Sequence, residues 1–222
     1  MANPMQPSQR QHGMSLIEVL VSLVITSVGV LSLGSLEVVS KRNLREAGQR
    51  LQASQLAYSL LERMRANSST AALVAYANTI NPSLGGARLG DTAPSVNCLS
   101  TTTSGTTTTT PCTPVQLAAF DLWLWEQLLD GAPERIGSSS GAKAGGLTLP
   151  TACLAPPAAG AGQAGLYTLT IAFRGDRPMT DNGAIACGKA AVYTDGTRLY
   201  GEQDQYRRTV SVQAYITPAV AK

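Results

Sequence analysis

The sequence Gly13-Met14-Ser15-Leu16-Ile17-Glu18 begins a long hydrophobic segment that contains a single charge. Residues 14–36 are 23 residues in which only Glu18 is charged. At about 1.5 Å per residue they form roughly 34 Å of helix, enough to cross a hydrocarbon core of about 30 Å. A carboxylate just inside a spanning helix costs about 2.5–3.5 kcal/mol on insertion scales. We therefore predict a transmembrane helix in which Glu18 has a partner or a function.

Composition limits the function of the rest of the chain. The 222 residues carry a net charge of +3, and only 14% of them are charged, so no specific nucleic-acid partner is expected. About 155 residues remain beyond the helical part, enough for one domain with a core. The single histidine, His12, precedes the hydrophobic segment, which leaves no imidazole for a triad, a histidine metal site or a neutral-pH base. We expect a protein that is not an enzyme and holds no cofactor or metal.

The four cysteines, Cys98, Cys112, Cys153 and Cys187, all lie beyond the hydrophobic segment. Their even number fits disulfides in an oxidising compartment, and no pair has C-x-x-C spacing. Of the three connectivities we favour Cys98–Cys112 with Cys153–Cys187. The first closes a short loop, and the second ties together the segments that precede two strands.

The hydrophobic helix is predicted to continue as an amphipathic helix over residues 37–66, since no proline occurs between Pro7 and Pro82. Two rows of apolar or small residues run along it. The first has a 3-4-3-4 spacing (Leu44, Ala47, Leu51, Ser54, Tyr58, Leu61), and the second lies beside it (Ala53, Ala57, Leu60, Met64). Together they make a stripe wide enough to pack on a sheet. Asn67-Ser68-Ser69 is expected to end the helix.

Residues 67–112 are interpreted as irregular, because they contain Pro82, Gly85-Gly86 and Pro94. The Ser/Thr run at residues 100–110 is of low complexity, and we predict an exposed loop there. A glycosylated, mucin-like stalk is the alternative.

A second helix is predicted over residues 114–130, ending at Gly131. Thr113 and Gln116 have the arrangement of a capping box around Pro114 at the first helical position. Its aromatic residues, Phe120, Trp123 and Trp125, are interpreted as core or cover residues rather than as ligand-binding ones.

The last third of the chain alternates apolar and polar residues in the way of half-buried strands. Residues 166–174 put Tyr167, Leu169, Ile171 and Phe173 on one face, and residues 209–216 do the same with Val210, Val212, Ala214 and Ile216. A shorter strand is predicted at residues 190–194. An antiparallel sheet with one buried face follows, covered by the amphipathic part of the long helix. The predicted fold class is α+β.

Several further motifs are interpreted as structural. The run from Gly160 to Gly165 satisfies G-x-G-x-x-G, but it precedes a strand rather than a helix, so it is read as a loop. Asp176, Asp181 and Asp195 lack the spacing of an EF-hand, which leaves calcium in a surface loop as a minor alternative. Arg207 and Arg208 are interpreted as solvated strand-edge residues. Glu62 with Arg65, and Glu46 with Arg42 and Arg50, are interpreted as surface helix pairs.

The segment that begins at Gly13 resembles the N-terminus of a type IV prepilin. That family has a short polar leader ending in Gly, and its mature chain carries Glu at the fifth position, here Glu18. The resemblance implies a pilin-like fold and cleavage between Gly13 and Met14 by a prepilin peptidase, with N-methylation of Met14. It also implies that Glu18 guides assembly by pairing with the Met14 amine of a neighbouring subunit. The leader is residues 1–13, the assembly helix 14–36, the spine 37–66 and the head 67–222. An uncleaved anchor is the alternative.

Three passages are similar to the minor pilin family PilV: residues 18–21 (EVLV) together with 28–31 (VGVL), residues 61–67 with the sequence LERMRAN, and residues 206–210 with the sequence YRRTV. The family usually has Phe where this chain has Met14. The resemblance implies a minor pilin that primes or caps the pilus and supports adhesion, twitching motility or DNA uptake. Other major and minor pilins would be its partners. A minor pseudopilin of type II secretion and an anchored periplasmic binding protein are the alternatives.

The two sides of the membrane carry different numbers of basic residues. Lys41, Arg42, Arg45 and Arg50 follow the span and only Arg10 precedes it, which by itself favours a cytoplasmic C-terminal part. The cysteines and the prepilin resemblance favour the opposite orientation. We expect a single-pass inner-membrane protein with a periplasmic head, later assembled into a pilus or pseudopilus.

Overall fold

The computed structural model of the chain describes residues 13, 15–86, 88–96, 98, 101–103, 106–108, 111–137, 143–180, 183–192 and 196–219. It divides into two compact units, Met1–Arg45 and Glu46–Lys222. The first described element is the helix α1 (Leu16–Ala66), which contributes to both units. Its end at Ala66 confirms the predicted stop. The leader up to residue 12 and Met14 lie outside the described residues.

The row of α1 that enters the core is the second one. Ala53, Ala57, Leu60 and Met64 are fully buried, and Leu61 is the one member of the first row buried with them. Leu44, Leu51 and Tyr58 of the first row are exposed, so the interpretation of both rows as one packing stripe was wrong. The covered stripe is narrower than the sequence spacing indicates, because only one side of the helix meets the rest of the unit.

Residues 67–112 are not irregular throughout, contrary to the sequence interpretation. The helix α2 (Thr70–Ile80) begins at the N-cap Ser69, whose side chain accepts a hydrogen bond from the Ala72 amide. Its buried face has helical spacing (Ala72, Leu73, Tyr76, Ala77, Ile80). Ser69 and the helical spacing that follows it indicate this helix in the sequence. The prediction of an irregular segment rested instead on the prolines and glycines that come later.

The Thr-rich tract forms a small hairpin between two disulfide-bonded cysteines. Strands β1 (Thr101–Thr103) and β2 (Thr106–Thr108) pair antiparallel, with Thr102 opposite Thr107. Cys98 is bonded to Cys112, as favoured from the sequence. The exposure of these threonines lies outside what the structure describes.

The second predicted helix is present as α3 (Pro114–Leu129). Its capping box forms in full: the Thr113 hydroxyl accepts from the Gln116 amide, and the Gln116 side chain accepts from the Thr113 amide. Gly131 follows with a positive φ of 72°, a conformation that glycine adopts without strain. Phe120 and Trp125 are buried, as expected of core residues.

Three antiparallel strands form the main sheet in the order β3 (Thr151–Ala155), β4 (Gly165–Arg174) and β5 (Arg207–Ile216). Leu169 lies opposite both Leu154 and Val212. The first strand of this order was missed, since five residues are too few for alternation to stand out.

The predicted strand at residues 190–194 is not found in the described part of that segment. Val192 makes an isolated bridge to Arg198, and residues 193–195 lie outside the described residues. The second disulfide, Cys153–Cys187, joins the middle of β3 to the segment ahead of this bridge.

One core joins α1, α2, α3 and the sheet. The predicted inward face of β4, Tyr167, Leu169, Ile171 and Phe173, is fully buried. It packs in the same cluster as Leu60 of α1. The α+β fold class is therefore confirmed: a long N-terminal helix packs on a three-stranded antiparallel sheet.

Candidate assembly site and supporting contacts

Glu18 lies in the first turn of α1, where its backbone amide donates to Ser15 O at 3.0 Å. Negative side chains are favoured at this end of a helix by its dipole. Gly13 lies in the chain just ahead, and a Cβ added there would meet nothing within 4 Å. Among the described residues none pairs with the Glu18 carboxylate. The structure thus has an ionisable group on an apolar helix, five residues after a glycine that has open space around it.

The surroundings of Glu18 are apolar and exposed. Leu16, Ile17 and Leu20 are between 54% and 80% exposed. The helix carries hydroxyl groups further along, and each of five donates to a carbonyl three or four residues earlier (Ser22, Thr26, Ser27, Ser32, Ser35). These polar groups are thereby satisfied without water. Among described helices, α1 is the one long and apolar enough to cross a membrane.

Glu46 and Arg208 form a partly buried ion pair that links α1 to β5. Arg208 Nε donates to Glu46 Oε1 at 2.7 Å, and the side chains are 4% and 22% exposed. The hydrogen bond from Arg208 holds the pKa of Glu46 below its usual value, against the opposing effect of burial. Glu46 also lies 3.6 Å from Arg50. The expected helix pair with Arg50 is therefore present, but Glu46 is not an ordinary surface residue, because its closest partner is 162 positions away.

Arg207 and Arg208 are both buried, which corrects their interpretation as solvated strand-edge residues. Arg207 Nη1 donates to the carbonyl oxygens of Ile185 and Cys187, each at 2.7 Å. Arg208 Nη2 donates to Arg177 O at 2.6 Å. The two guanidinium groups fasten the start of β5 to the chain around Cys187 and Arg177. They bind backbone carbonyls and, in the case of Arg208, the Glu46 carboxylate, so neither is presented to a phosphate.

A second buried network holds the three helices together around Asp121 of α3. Arg63 of α1 donates to Asp121 Oδ1, and Tyr76 of α2 donates to Asp121 Oδ2, both at 2.7 Å. Burial, and then the hydrogen bond to Asp121, raises the pKa of Tyr76 well above its usual value. Glu62 and Arg65, by contrast, form the surface pair that was expected.

Glu126 of α3 is a fully buried carboxylate that organises the loop before the Thr-rich hairpin. Its Oε1 accepts from the amides of Gly85 and Arg88 at 2.9 and 3.1 Å, and its Oε2 accepts from the Leu89 amide at 2.7 Å. Three backbone amides thus supply the hydrogen bonds that a buried carboxylate requires. Sequence reasoning missed this residue, since nothing local distinguishes it from a surface helix glutamate.

Metal and nucleotide chemistry find no support in the described residues. Within them, no group of three or more His, Cys, Asp or Glu side chains could hold a metal ion. Asp176 is exposed, while Asp181 and Asp195 fall outside the described residues. The glycine run at residues 160–165 is a loop that leads into β4, and the Gly162 amide donates to Tyr167 Oη at 3.0 Å. That loop cannot cradle a phosphate at a helix start, as a dinucleotide site requires.

Comparison with protein families identifies two adjoining regions. Residues 8–34 match the prokaryotic N-terminal methylation motif. Residues 36–123, which contain the second half of α1, α2 and the capped start of α3, match the Tt1218-like family, described as type IV pilin Tt1218. Neither the curated proteins nor the solved structures give a match.

The two matches together cover just over half of the chain and agree with the fold. The methylation motif implies processing by a prepilin peptidase and assembly with other pilins. The apolar helix and the motif together indicate a membrane-anchored pilin or pseudopilin subunit, in a family of structural proteins rather than enzymes. The chain belongs to the type IV prepilin family.

Proposed function

We propose that this protein is a minor type IV pilin of the PilV kind. It primes or caps the pilus, and it supports adhesion, twitching motility or DNA uptake. The observation that carries the proposal is Glu18, a lone carboxylate in the first turn of an exposed apolar helix. Such a group is costly in a membrane unless a cation offsets it, so its presence favours a charge partner supplied by another chain.

The partner we propose is the amine of Met14 in a neighbouring subunit. A prepilin peptidase removes residues 1–13, and N-methylation of Met14 leaves its amine positively charged. The pair fixes the axial register between two helices, because the carboxylate has one matching cation along an otherwise apolar surface. Residues 14–36 then form the assembly helix, 37–66 the spine and 67–222 the head.

We place the head in the periplasm and the helix in the inner membrane before assembly. The two disulfides, Cys98–Cys112 and Cys153–Cys187, support this location, because disulfides persist in oxidising compartments. The basic residues that follow the span favour the opposite orientation, and we base the location on the disulfides instead.

The PilV assignment draws on two passages that make long-range contacts in the structure. Residues 61–67 include Arg63, which bonds to Asp121, and residues 206–210 include Arg208, which bonds to Glu46. Each passage therefore contributes an arginine to the contacts that hold the helices and the sheet together. A minor pseudopilin of type II secretion is the second candidate, since the methylation motif serves both systems.

The test compares filament incorporation of Glu18→Gln with that of a matched control, Glu37→Gln. Glu37 lies just beyond the apolar segment, where its exposed carboxylate pairs with Lys41 at 2.7 Å. We expect Glu18→Gln to lower the amount of subunit in sheared filaments, relative to membranes, by roughly tenfold, the value of one charged hydrogen bond. The control should behave as wild type. Equal incorporation of all three chains would contradict the role of Glu18.

A deletion of the gene separates pilus from pseudopilus. Loss of twitching or of surface pili with secretion intact supports the minor pilin. Loss of protein secretion with normal pili would favour the pseudopilin instead.

A further inference from the structure

We infer that Lys41, Arg42 and Arg45 form a binding surface for the phosphate groups of anionic membrane lipids. We call these three residues the basic collar. Together with Val38 they line a shallow depression of about 240 Å³ on α1. The inference goes beyond subunit assembly, because it concerns the chain while it is inserted in the membrane.

The depth of the collar follows from helix geometry. Residues 16–36 of α1 measure roughly 32 Å at 1.5 Å per residue, which matches a hydrocarbon core of about 30 Å. Lys41 and Arg45 then lie about 8 and about 14 Å beyond Leu36 along the helix axis. The headgroup layer occupies about 5–8 Å on each side of the hydrocarbon. The collar therefore begins at the outer edge of the headgroups.

The direction of the collar side chains brings their charged groups into the headgroup layer. Every Cα–Cβ bond in an α-helix is tilted toward the helix N-terminus, which for α1 is the membrane side. Lys and Arg have long apolar stems and place their charged ends several ångströms from the backbone. The collar side chains thus extend back toward the phosphates, while Val38, which is 50% exposed, faces the boundary with the acyl chains.

Charge complementarity determines the ligand. Glu37 offsets one of the three cations through its pair with Lys41, and these two side chains are 66% and 74% exposed. An excess of two positive charges remains over residues 37–45. Phosphatidylglycerol carries the negative phosphate that such a surface attracts, without a compensating amine. The collar also accounts for the basic residues on the side of the span that holds the head.

The test uses the full chain in nanodiscs of phosphatidylcholine with a minor share of phosphatidylglycerol. The variant is Lys41→Gln/Arg42→Gln/Arg45→Gln, since Gln retains helix propensity. The control is Arg65→Gln/Arg177→Gln/Lys189→Gln, which removes the same charge from exposed residues elsewhere. Native mass spectrometry of the released protein measures how many molecules of each lipid remain bound. Correct disulfide mass and Trp fluorescence show that each variant is folded.

We expect wild type and control to retain phosphatidylglycerol selectively, and the collar variant to bind it roughly 100-fold more weakly, at about fivefold for each of the three charges removed. Unchanged selectivity in the collar variant would overturn the inference. So would displacement of the lipid by soluble glycerol phosphate at equal phosphate concentration, since the site would then not need a membrane. A collar variant that keeps its lipids but fails to enter filaments would show that the collar contacts a protein instead.

The lipid-binding proposal and the assembly role of Glu18 can each be refuted without the other. Lipid retention is read from the unassembled chain, so its failure leaves the role of Glu18 in assembly intact. Normal incorporation of Glu18→Gln would leave the lipid result unaffected in turn.

Discussion

Arg208 of β5 donates from Nε to Oε1 of Glu46 at 2.7 Å, across 162 positions of the chain. Glu46 is also the first residue of the C-terminal unit. The pair therefore fastens the last strand to the point at which α1 enters that unit. With 4% of its side chain exposed, Arg208 makes its shortest polar contacts with this carboxylate and with the Arg177 carbonyl.

Removing the Glu46 carboxylate should destabilise the C-terminal unit. We expect Glu46→Gln to lower the free energy of unfolding by about 2 kcal/mol, because it weakens a charged hydrogen bond to a buried cation. Glu62→Gln, which affects the exposed pair with Arg65, should cost less than about 0.5 kcal/mol. Guanidinium unfolding in mild detergent, followed by Trp fluorescence, measures both. Equal midpoints for the two variants would refute the importance of the buried pair.

The same pair should respond to acid. Because the folded pKa of Glu46 is lowered from 4.5, its stabilising effect is fully present above that value and is lost as pH falls through the lower folded pKa. The difference in unfolding free energy between wild type and Glu46→Gln should thus be constant from neutral pH to about 5 and then shrink. A difference that grows on acidification would contradict the assigned direction.

Tyr76 should make the contact between the three helices sensitive to alkali. Its raised pKa means that the folded chain keeps the phenol protonated, so stability is present below the usual pKa of about 10 and falls as pH rises above it. Tyr76→Phe should remove the highest-pH step from the ultraviolet titration of tyrosine. Tyr58→Phe, at a residue that is 58% exposed, should leave that step in place. Identical titrations of the two variants would argue against burial of the phenol.

Glu126 should be needed as a carboxylate rather than as any polar side chain. Glu126→Gln replaces one acceptor oxygen by a donor, which leaves a backbone amide of the Gly85 to Leu89 loop without a partner. We expect a loss of about 2–3 kcal/mol in unfolding free energy, with faster amide exchange at Leu89. Glu62→Gln, at an exposed position of α1, serves as the control for loss of one carboxylate. Protection of the Leu89 amide that survives Glu126→Gln would exclude the proposed hydrogen bond.

The two disulfides should contribute unequally. They close loops with sequence separations of 14 and 34 residues, for which chain entropy predicts about 3 and about 4 kcal/mol. Replacement of Cys153 and Cys187 by Ser should thus lower the unfolding midpoint more than replacement of Cys98 and Cys112. Cys187 is also buried, which adds to the effect. A larger loss from the pair around the Thr-rich hairpin would overturn this order.

Processing should depend on the size of residue 13. In cells that contain a prepilin peptidase, intact-mass measurement should find wild type shortened by 13 residues, with a methylated Met14. Gly13→Val should remain full length, because a branched side chain obstructs the peptide bond to be cut. Gly29→Val is the matched control inside the span, where an added Cβ meets nothing within 4 Å. Cleavage of Gly13→Val at the wild-type rate would refute the site.

Local patterns in the sequence were sufficient to predict several helices and strands of this protein. The apolar run with its one charge at Glu18 identifies the long helix, since backbone hydrogen bonds must be satisfied within the segment. The capping box at Thr113 and Gln116 places the start of α3, and the alternation around Tyr167 places β4 and its buried face. Each of these signals is complete within a few residues, so no distant partner is needed to interpret it.

Only the folded chain shows which of several residues with similar local sequence are buried. Leu51 and Ala57 both lie on apolar rows of α1, yet only Ala57 is buried, because a helix covers its core side alone. Arg208 resembles a surface residue until Glu46 and the Arg177 carbonyl neutralise the cost of its burial. Burial of a charge depends on partners that the chain brings together only on folding, and such partners leave no mark in the neighbouring sequence.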